Sequence, residues 1–493
     1  MSAREMTAET PGGTPGEEVL SETQSLCPVC LRRLPARRVL RGDAVFLERD
    51  CPEHGPFSVP VWRGGPDMRS WRRPKKPSAP LRPGPASDAG CPYDCGLCPD
   101  HGQHTCTAVL EITQRCNLGC PICFASSETA DTPDPDLAFL AERLVRLRRE
   151  AGQCNLQLSG GEPTVREDLP GIVSAAREAG FSFVQLNTNG LRLAREAGYA
   201  RRLAEAGLVS VFLQFDGSDA ACAALRGRPL LAEKLAAIDA CAAAGLGVVL
   251  VPTLARGVND RELGTILRLA LSRAPTVRGV HFQPAASFGR YPWDTGTAGA
   301  GGLTLPEVLA GLAAQTEVPL AAEDFHPPCC EHELCSFSAT FLRGPDGRLA
   351  LLPEGGGSSC CSPREGEIFG AAPEAAEGAR KSKSFTARQW AAPAPARPLT
   401  ELSDDFDRFL AAAGSENRFT ISCMAFQDAW SLDLERVRGC CIHVAGPESG
   451  LIPFCLYNLT AADGRTLYRG RAGRGRTGRD GIGRGGIGRG AAR

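Results

Sequence analysis

The chain predicts an α/β protein built around a partial barrel of six β-α units, and three observations carry that reading. Apolar strand segments recur at 109–113, 155–159, 183–187, 209–216, 247–253 and 280–283. Runs rich in Ala, Leu, Arg and Glu with helical periodicity lie between them, such as 136–151 and 233–244. Strands alternating with helices make parallel β-α units, and six of them suit an open barrel with its chemistry at the C-terminal ends of the strands. The third observation is that cysteines gather at tight spacings on both sides of this stretch.

At 493 residues the chain has room for two or three domains. A hydrophobic content of 43% with 23% charged residues is that of an ordinary globular protein. No run of about 18 apolar residues is present, which argues against a spanning helix, and no charged-then-apolar signal pattern is expected at the N-terminus. A formal net charge of -1 gives no global field favouring one partner. The 22 cysteines decide more. Disulfide-dense proteins are usually small and secreted, whereas this chain is long and groups cysteines at metal-ligand spacing. The expectation is a reducing cytoplasm and several metal centres. Cys154, Cys222 and Cys241 stand alone in apolar or helical surroundings and read as buried small hydrophobes.

Residues 1–22 are polar and predict disorder. Residues 23–73 predict a small metal-knuckle domain. Cys27-Pro28-Val29-Cys30 and Cys51-Pro52-Glu53-His54 flank a strand-rich spacer at 38–48, and three thiolates with one imidazole are a common structural zinc set. Iron in a rubredoxin-like site uses similar geometry, so the spacing leaves mononuclear zinc and iron both open. Residues 74–106 begin as a stiff proline-rich linker and end in Cys91, Cys95, Cys98 and Cys106. Those four predict an auxiliary iron–sulfur cluster, with a second zinc site as the rival, and His101 and His104 read as ordinary polar loop residues.

Residues 107–290 form the barrel. Residues 291–469 predict a C-terminal region with a further cysteine group, in which Cys329, Cys335, Cys441 and Cys455 are the expected ligands. Adjacent cysteines, as in Cys329-Cys330 and Cys440-Cys441, are each expected to supply one ligand at most. A helical run is expected at 428–437, and the polar, then Ala/Pro-rich stretch 362–398 reads as a mobile insertion. Residues 470–493 carry seven arginines and one aspartate among glycines and predict a disordered, solvated tail. Such tails can also bind RNA or anionic surfaces. Aromatics are only 6% of residues and do not interleave with these arginines, which weighs against a nucleic-acid partner.

The chemistry centres on Cys116-x-x-x-Cys120-x-x-Cys123-Phe124, just past the first barrel strand. Cysteine thiolates hold iron–sulfur clusters, and four irons normally need four ligands. This loop offers three, which leaves one iron open to a small molecule. The spacing and the aromatic residue after it resemble the radical SAM superfamily. The resemblance implies a 4Fe–4S cluster whose open iron is chelated by S-adenosylmethionine (SAM), and reductive cleavage of SAM to a 5′-deoxyadenosyl radical that abstracts hydrogen from an unactivated carbon. It also implies a TIM-like radical SAM barrel and an electron donor such as ferredoxin or flavodoxin. Gly160-Gly161-Glu162-Pro163 after the second strand matches the superfamily's motif for the SAM amino group. Asn187 and Asn189 end the third strand and Asp216 the fourth, positions the superfamily uses for the SAM carboxylate or ribose. Phe124 is placed near adenine by the same resemblance, and Gln283 is a candidate for the cavity wall.

Three further blocks are similar to the tetraether lipid synthase family: the N-terminal knuckle, the Cys91–Cys98 block that runs on through Pro99-Asp100-His101, and Cys440-Cys441-Ile442-His443-Val444 with Leu451-Ile452-Pro453-Phe454-Cys455. That resemblance spans roughly residues 25–470 and implies one or two auxiliary 4Fe–4S clusters, a mononuclear metal, and carbon–carbon coupling of lipid chains at the bilayer surface. Relatives of that family are described as methylases acting on a pterin. Three readings follow: radical coupling of lipid chains, which needs a long apolar channel; a radical SAM methylase or other enzyme on a non-lipid substrate, which needs a short polar pocket; and a non-catalytic metalloprotein carrying electrons or binding nucleic acid.

Overall fold

The computed structural model describes residues 17–72, 79–84, 86, 88–127, 133–292, 302–328, 330–344, 348–352, 390–392, 417–446 and 450–470. Cys329, the cysteines at 360 and 361, nearly all of the predicted insertion and the Gly/Arg tail beyond Gly470 lie outside them.

The N-terminal unit is a four-stranded antiparallel sheet in the order β1 (Glu17–Leu26), β2 (Arg33–Arg41), β3 (Ala44–Cys51), β4 (Gly55–Arg63). β2 alternates exposed Arg33, Pro35 and Arg37 with buried Leu34, Ala36 and Arg38, the period of a half-buried strand. The expected disorder through residue 22 is corrected: β1 already begins at Glu17. Its polar side chains offer no apolar signal, but its backbone pairs with β2, Val19 opposite Val39 and Glu22 opposite Arg37. The sheet docks through a buried ion pair. Arg38 Nε donates to Asp433 Oδ2 at 2.9 Å, with side-chain exposures of only 9% and 5%.

The second sheet is built from β5 (Thr107–Thr113), β6 (Asn155–Gly160), β7 (Val184–Thr188), β8 (Ser210–Gln214), β9 (Gly247–Val251), the short β10 (Thr253–Leu254) and β11 (Val277–Pro284). The connecting helices are α1 (Leu137–Ala151), α2 (Leu169–Glu178), α3 (Leu191–Arg195), α4 (Tyr199–Glu205), α5 (Asp219–Arg226), α6 (Leu231–Ala243) and α7 (Leu263–Ser272). α1 starts where its sequence says it should: Asp136 caps it by accepting from Phe139 N–H at 2.7 Å. The six strands lie parallel in chain order, as an α/β partial barrel requires.

The C-terminal region adds α8 (Leu305–Gln315), β12 (Ser336–Arg343), β13 (Leu349–Leu351), β14 (Arg418–Met424), α9 (Leu434–Arg438), β15 (Ile442–Ala445), β16 (Leu451–Pro453) and α10 (Phe454–Tyr457). It extends the barrel sheet at both edges. β14 pairs parallel with β11, and β15 pairs parallel with β5, giving the order β13-β12-β14-β11-β9-β8-β7-β6-β5-β15-β16. The helical run expected at 428–437 is corrected to Leu434–Arg438. Asp428 spends its carboxylate on the N–H groups of Trp430 and Ser431, closing a turn instead. No described helix is long and apolar enough to cross a membrane.

The strand alternation places the core. Leu156, Leu158, Val184, Leu186, Val211, Leu213, Val248, Leu250, Val280 and Phe282 are all buried in one apolar cluster with the helices. The intervening Asn155, Gln157, Asn187, Phe212, Gln214, His281, Gln283, Thr420 and Ser422 line a cavity of about 610 Å³. The barrel interior is therefore an open chamber, mostly apolar in its wall but carrying these polar side chains on the inner face of the strands, rather than a filled core.

Candidate active site

The cysteine loop follows β5, at the C-terminal mouth of the barrel. Cys116, Cys120 and Cys123 all line the cavity, together with Phe124, Gly160, Gly161, Glu162, Asn187 and Asn189. Cys116 and Cys120 pack against an apolar patch of Leu118, Leu191, Cys222 and Leu230. Burial pushes the Cys116 thiol up to about 11, with the Leu118 N–H, 3.4 Å from its sulfur, pulling back. Burial also raises Cys120, against the opposing pull of Arg226. Such thiols give up their protons when a metal binds, so three partly buried cysteines of one loop lining one cavity fit a cluster with three protein ligands.

The loop is held by its neighbours. Gly161 N–H donates to Thr113 C=O and Glu162 N–H to Arg115 C=O, both at 2.9 Å. A Cβ on Gly160 would meet the Thr113 oxygen at 2.1 Å, and one on Gly161 the Arg115 oxygen at 2.2 Å. The close approach these glycines permit is thus that of the cysteine loop's own backbone. Glu162 is 1% exposed. Its carboxylate accepts from Thr164 N (3.0 Å), Thr164 Oγ1 (2.6 Å), Thr188 Oγ1 (2.7 Å) and Asn189 N (2.7 Å). Asn189 Nδ2 in turn donates to Asn117 Oδ1 at 2.7 Å, inside the cysteine loop. Two catalytic motifs far apart in sequence are locked into one frame by these bonds.

Asp216 is corrected. It is fully buried, does not line the cavity, and its carboxylate is taken by Arg226, whose Nε and Nη2 lie 2.7 and 2.9 Å from its two oxygens. Arg226 lines the cavity instead. Lys234, equally buried, donates to Asn189 C=O at 2.6 Å and Gln214 Oε1 at 2.8 Å, and burial pulls it down to about 8. Neither cation was legible beforehand, because each sits in an unremarkable helical run. On the opposite wall His281 stacks on Phe212, with centroids 5.8 Å apart, and Trp390 packs 4.8 Å from Phe212. Burial draws His281 down to about 4, so the ring is neutral near pH 7. Asn187 Oδ1 is buried without a hydrogen-bond partner.

In the N-terminal sheet, Cys27, Cys30, Cys51 and His54 bring their ligand atoms within 4.8 Å of one another. The Cys30 and Cys51 sulfurs are 3.9 Å apart, and a zinc tetrahedron with Zn–S bonds of about 2.3 Å has S···S edges of about 3.8 Å. The donor set and its spacing fit one mononuclear ion.

The remaining cysteines regroup. Cys91, Cys95 and Cys98 stay near one another, and Tyr468 Oη accepts from Cys95 N–H at 2.9 Å. Cys106 leaves that set to pack with Cys330 and Cys441, its sulfur 3.5 Å from His104 Nε2. Cys335, Cys440 and Cys455 form a further group, with Arg436 donating to the Cys335 sulfur at 3.4 Å. The expected grouping of Cys106 with Cys91, Cys95 and Cys98, and of Cys441 with Cys335 and Cys455, is corrected accordingly. Cys440 and Cys441 project into different groups because neighbouring side chains on an extended chain point to opposite faces. His101 is not a polar loop residue either. It is 5% exposed, donates from Nε2 to Cys440 C=O (2.8 Å) and meets His443 edge-on.

Comparison with known proteins agrees with this geometry. The radical SAM superfamily matches residues 110–270, and the HMPTM N-terminal zinc ribbon domain matches residues 19–63. The fold and the cysteine loop define a radical SAM enzyme. More narrowly, the chain belongs to the family of the 7,8-dihydro-6-hydroxymethylpterin dimethyltransferase of Methanocaldococcus jannaschii, to which it is 34% identical over 479 residues, 89% of this chain and 93% of that protein. It is also 32% identical over 196 residues to the GTP 3′,8-cyclase of Paenarthrobacter nicotinovorans, across 38% of this chain and 54% of that one. Among solved structures, a radical SAM methyltransferase from Sphaerobacter thermophilus is 16% identical with a TM-score of 0.30, over 62% of this chain and 76% of that chain. The resemblance to tetraether lipid synthases gives way: the relative matched nearly end to end is a pterin dimethyltransferase.

Proposed function

We propose that this enzyme methylates a reduced pterin, 7,8-dihydro-6-hydroxymethylpterin or a close analogue, by radical SAM chemistry. The observation that carries the reading is the near full-length similarity to an enzyme of that name. The cavity supports it. A volume of about 610 Å³ suits small-molecule binding, and its largely apolar wall carries a few amide, hydroxyl and imidazole groups on the strands. A flat heteroaromatic ring with a donor–acceptor edge matches Phe212, His281 and Trp390 on its faces and Gln157, Asn187 and Gln283 on its rim. A long alkyl chain would offer nothing to Asn187 Oδ1, which is buried without a hydrogen-bond partner, a cost of about 1–3 kcal/mol.

When bound at Cys116, Cys120 and Cys123, a 4Fe–4S cluster with SAM supplies the one-electron chemistry needed to activate an inert C–H bond. The chain's own residues do the rest. Glu162 and Asn189 hold the cofactor wall in register with the cysteine loop, the apolar patch around Leu118 keeps water from the Cys116 and Cys120 sulfurs, and neutral His281 offers a stacking face that repels no cation. An external low-potential one-electron donor of the ferredoxin or flavodoxin class is required.

The test is anaerobic reconstitution with iron and sulfide, then incubation with dithionite, SAM and the dihydropterin, followed by mass spectrometry for methylated pterin and 5′-deoxyadenosine. Methylated product above a Cys120→Ala control supports the proposal. 5′-Deoxyadenosine without methylated pterin refutes the substrate, and none above the control refutes the radical chemistry as well.

A further inference from the structure

Among the described residues, Arg226 is the one cation on the cavity wall whose every guanidinium nitrogen is oriented by a contact. From the end of α5 its Nε and Nη2 grip Asp216, Nη2 donates to Thr253 Oγ1 at 2.7 Å, and Nη1 donates to Ile122 C=O at 3.3 Å, between Cys120 and Cys123. Asp216 is itself pinned by Thr253 N–H at 3.0 Å, while Asn259 Nδ2 donates to its backbone carbonyl at 2.9 Å. The pair is therefore a fixed dipole, with its positive end against the cysteine loop and its negative end turned away. The guanidinium lies close enough for its charge to act on the Cys120 and Cys123 sulfurs.

We propose that Arg226 raises the reduction potential of the cluster held by Cys116, Cys120 and Cys123, and that Asp216 limits the rise. The inference rests on the radical SAM reading. Reduction adds one electron from a low-potential donor to the cluster, making the site more negative. A buried cation anchored beside the ligating sulfurs stabilises that state, and local charge is a recognised determinant of cluster potential. An arginine keeps its proton even when buried, so the charge is permanent.

The test is a potentiometric titration of the full-length, anaerobically loaded protein. The reduced-cluster EPR signal is read with and without SAM, in wild type, R226Q, R226K and D216N. R226Q should be about tenfold harder to reduce, a shift of about 59 mV downward for a one-electron couple. D216N, which uncovers the cation, should shift upward, and R226K should stay near wild type. Shifts of the same sign in R226Q and D216N, no shift in either, or a fall in R226K equal to that in R226Q would overturn the proposal. Loss of the cluster in both R226Q and D216N would make the pair a scaffold and overturn it equally. A wild-type signal that ignores SAM would instead sink the radical SAM reading beneath it.

Discussion

Replacing Glu162 by Gln tests whether the frame around the cysteine loop depends on a carboxylate. In the native site four donors converge on its two oxygens, two backbone N–H groups and two hydroxyls. Gln keeps the shape and one carbonyl but turns an NH₂ toward at least one of those donors. Hydrogen bonds to a charged group contribute about 1.5–3 kcal/mol each. Losing one outright and weakening the others should cost about 2–4 kcal/mol. That is a large part of a typical stability of about 5–15 kcal/mol. The loss does not stay local, because Asn189 links this carboxylate to Asn117. SAM affinity should fall about tenfold, equivalent to 1.4 kcal/mol. Guanidinium unfolding of the loaded protein reads the first quantity and equilibrium dialysis with labelled SAM the second. An E162Q protein with wild-type values in both would show that the carboxylate is dispensable and that the frame argument fails.

The ribbon site should bind one ion that Cys51→Ser cannot keep. Metal analysis should find the zinc-ribbon equivalent missing and the melting temperature lowered, and unchanged metal content would count against the four-ligand site. Lys234 predicts a pH dependence of stability. Its folded value near 8 lies below the unfolded 10.5, so the cost of burying the charge is carried in full below about pH 8 and relieved as pH climbs toward 10.5. Across that window wild type should gain about 3 kcal/mol relative to K234M, and parallel stability curves for the two proteins would refute it. In the cavity, His281→Leu should weaken dihydropterin binding, followed by pterin fluorescence, while leaving SAM binding near wild type. Equal loss of both ligands would point to collapse of the chamber rather than to substrate contacts.

Much of this enzyme was legible in its residues. The six parallel strands, the cap at Asp136, the three-thiol loop and the Cys27, Cys30, Cys51 and His54 set are all short-range patterns. They follow from side-chain period and from ligand spacing within a few residues of chain. The polar inner face of the barrel was written there too, in Asn155, Gln157, Asn187, Gln214, His281 and Gln283. It was hidden because strands with apolar outer faces read as uniformly buried. What only the tertiary structure decided is which distant groups meet. Asp216 turned out to answer a cation on α5 rather than the cavity, and Cys440 and Cys441 parted into different groups. β14 and β15 came from the far end of the chain to flank a sheet that begins at Thr107. Those choices depend on burial and long-range pairing. A charge removed from water must find its opposite wherever the fold places it, and local spacing carries no record of where that is.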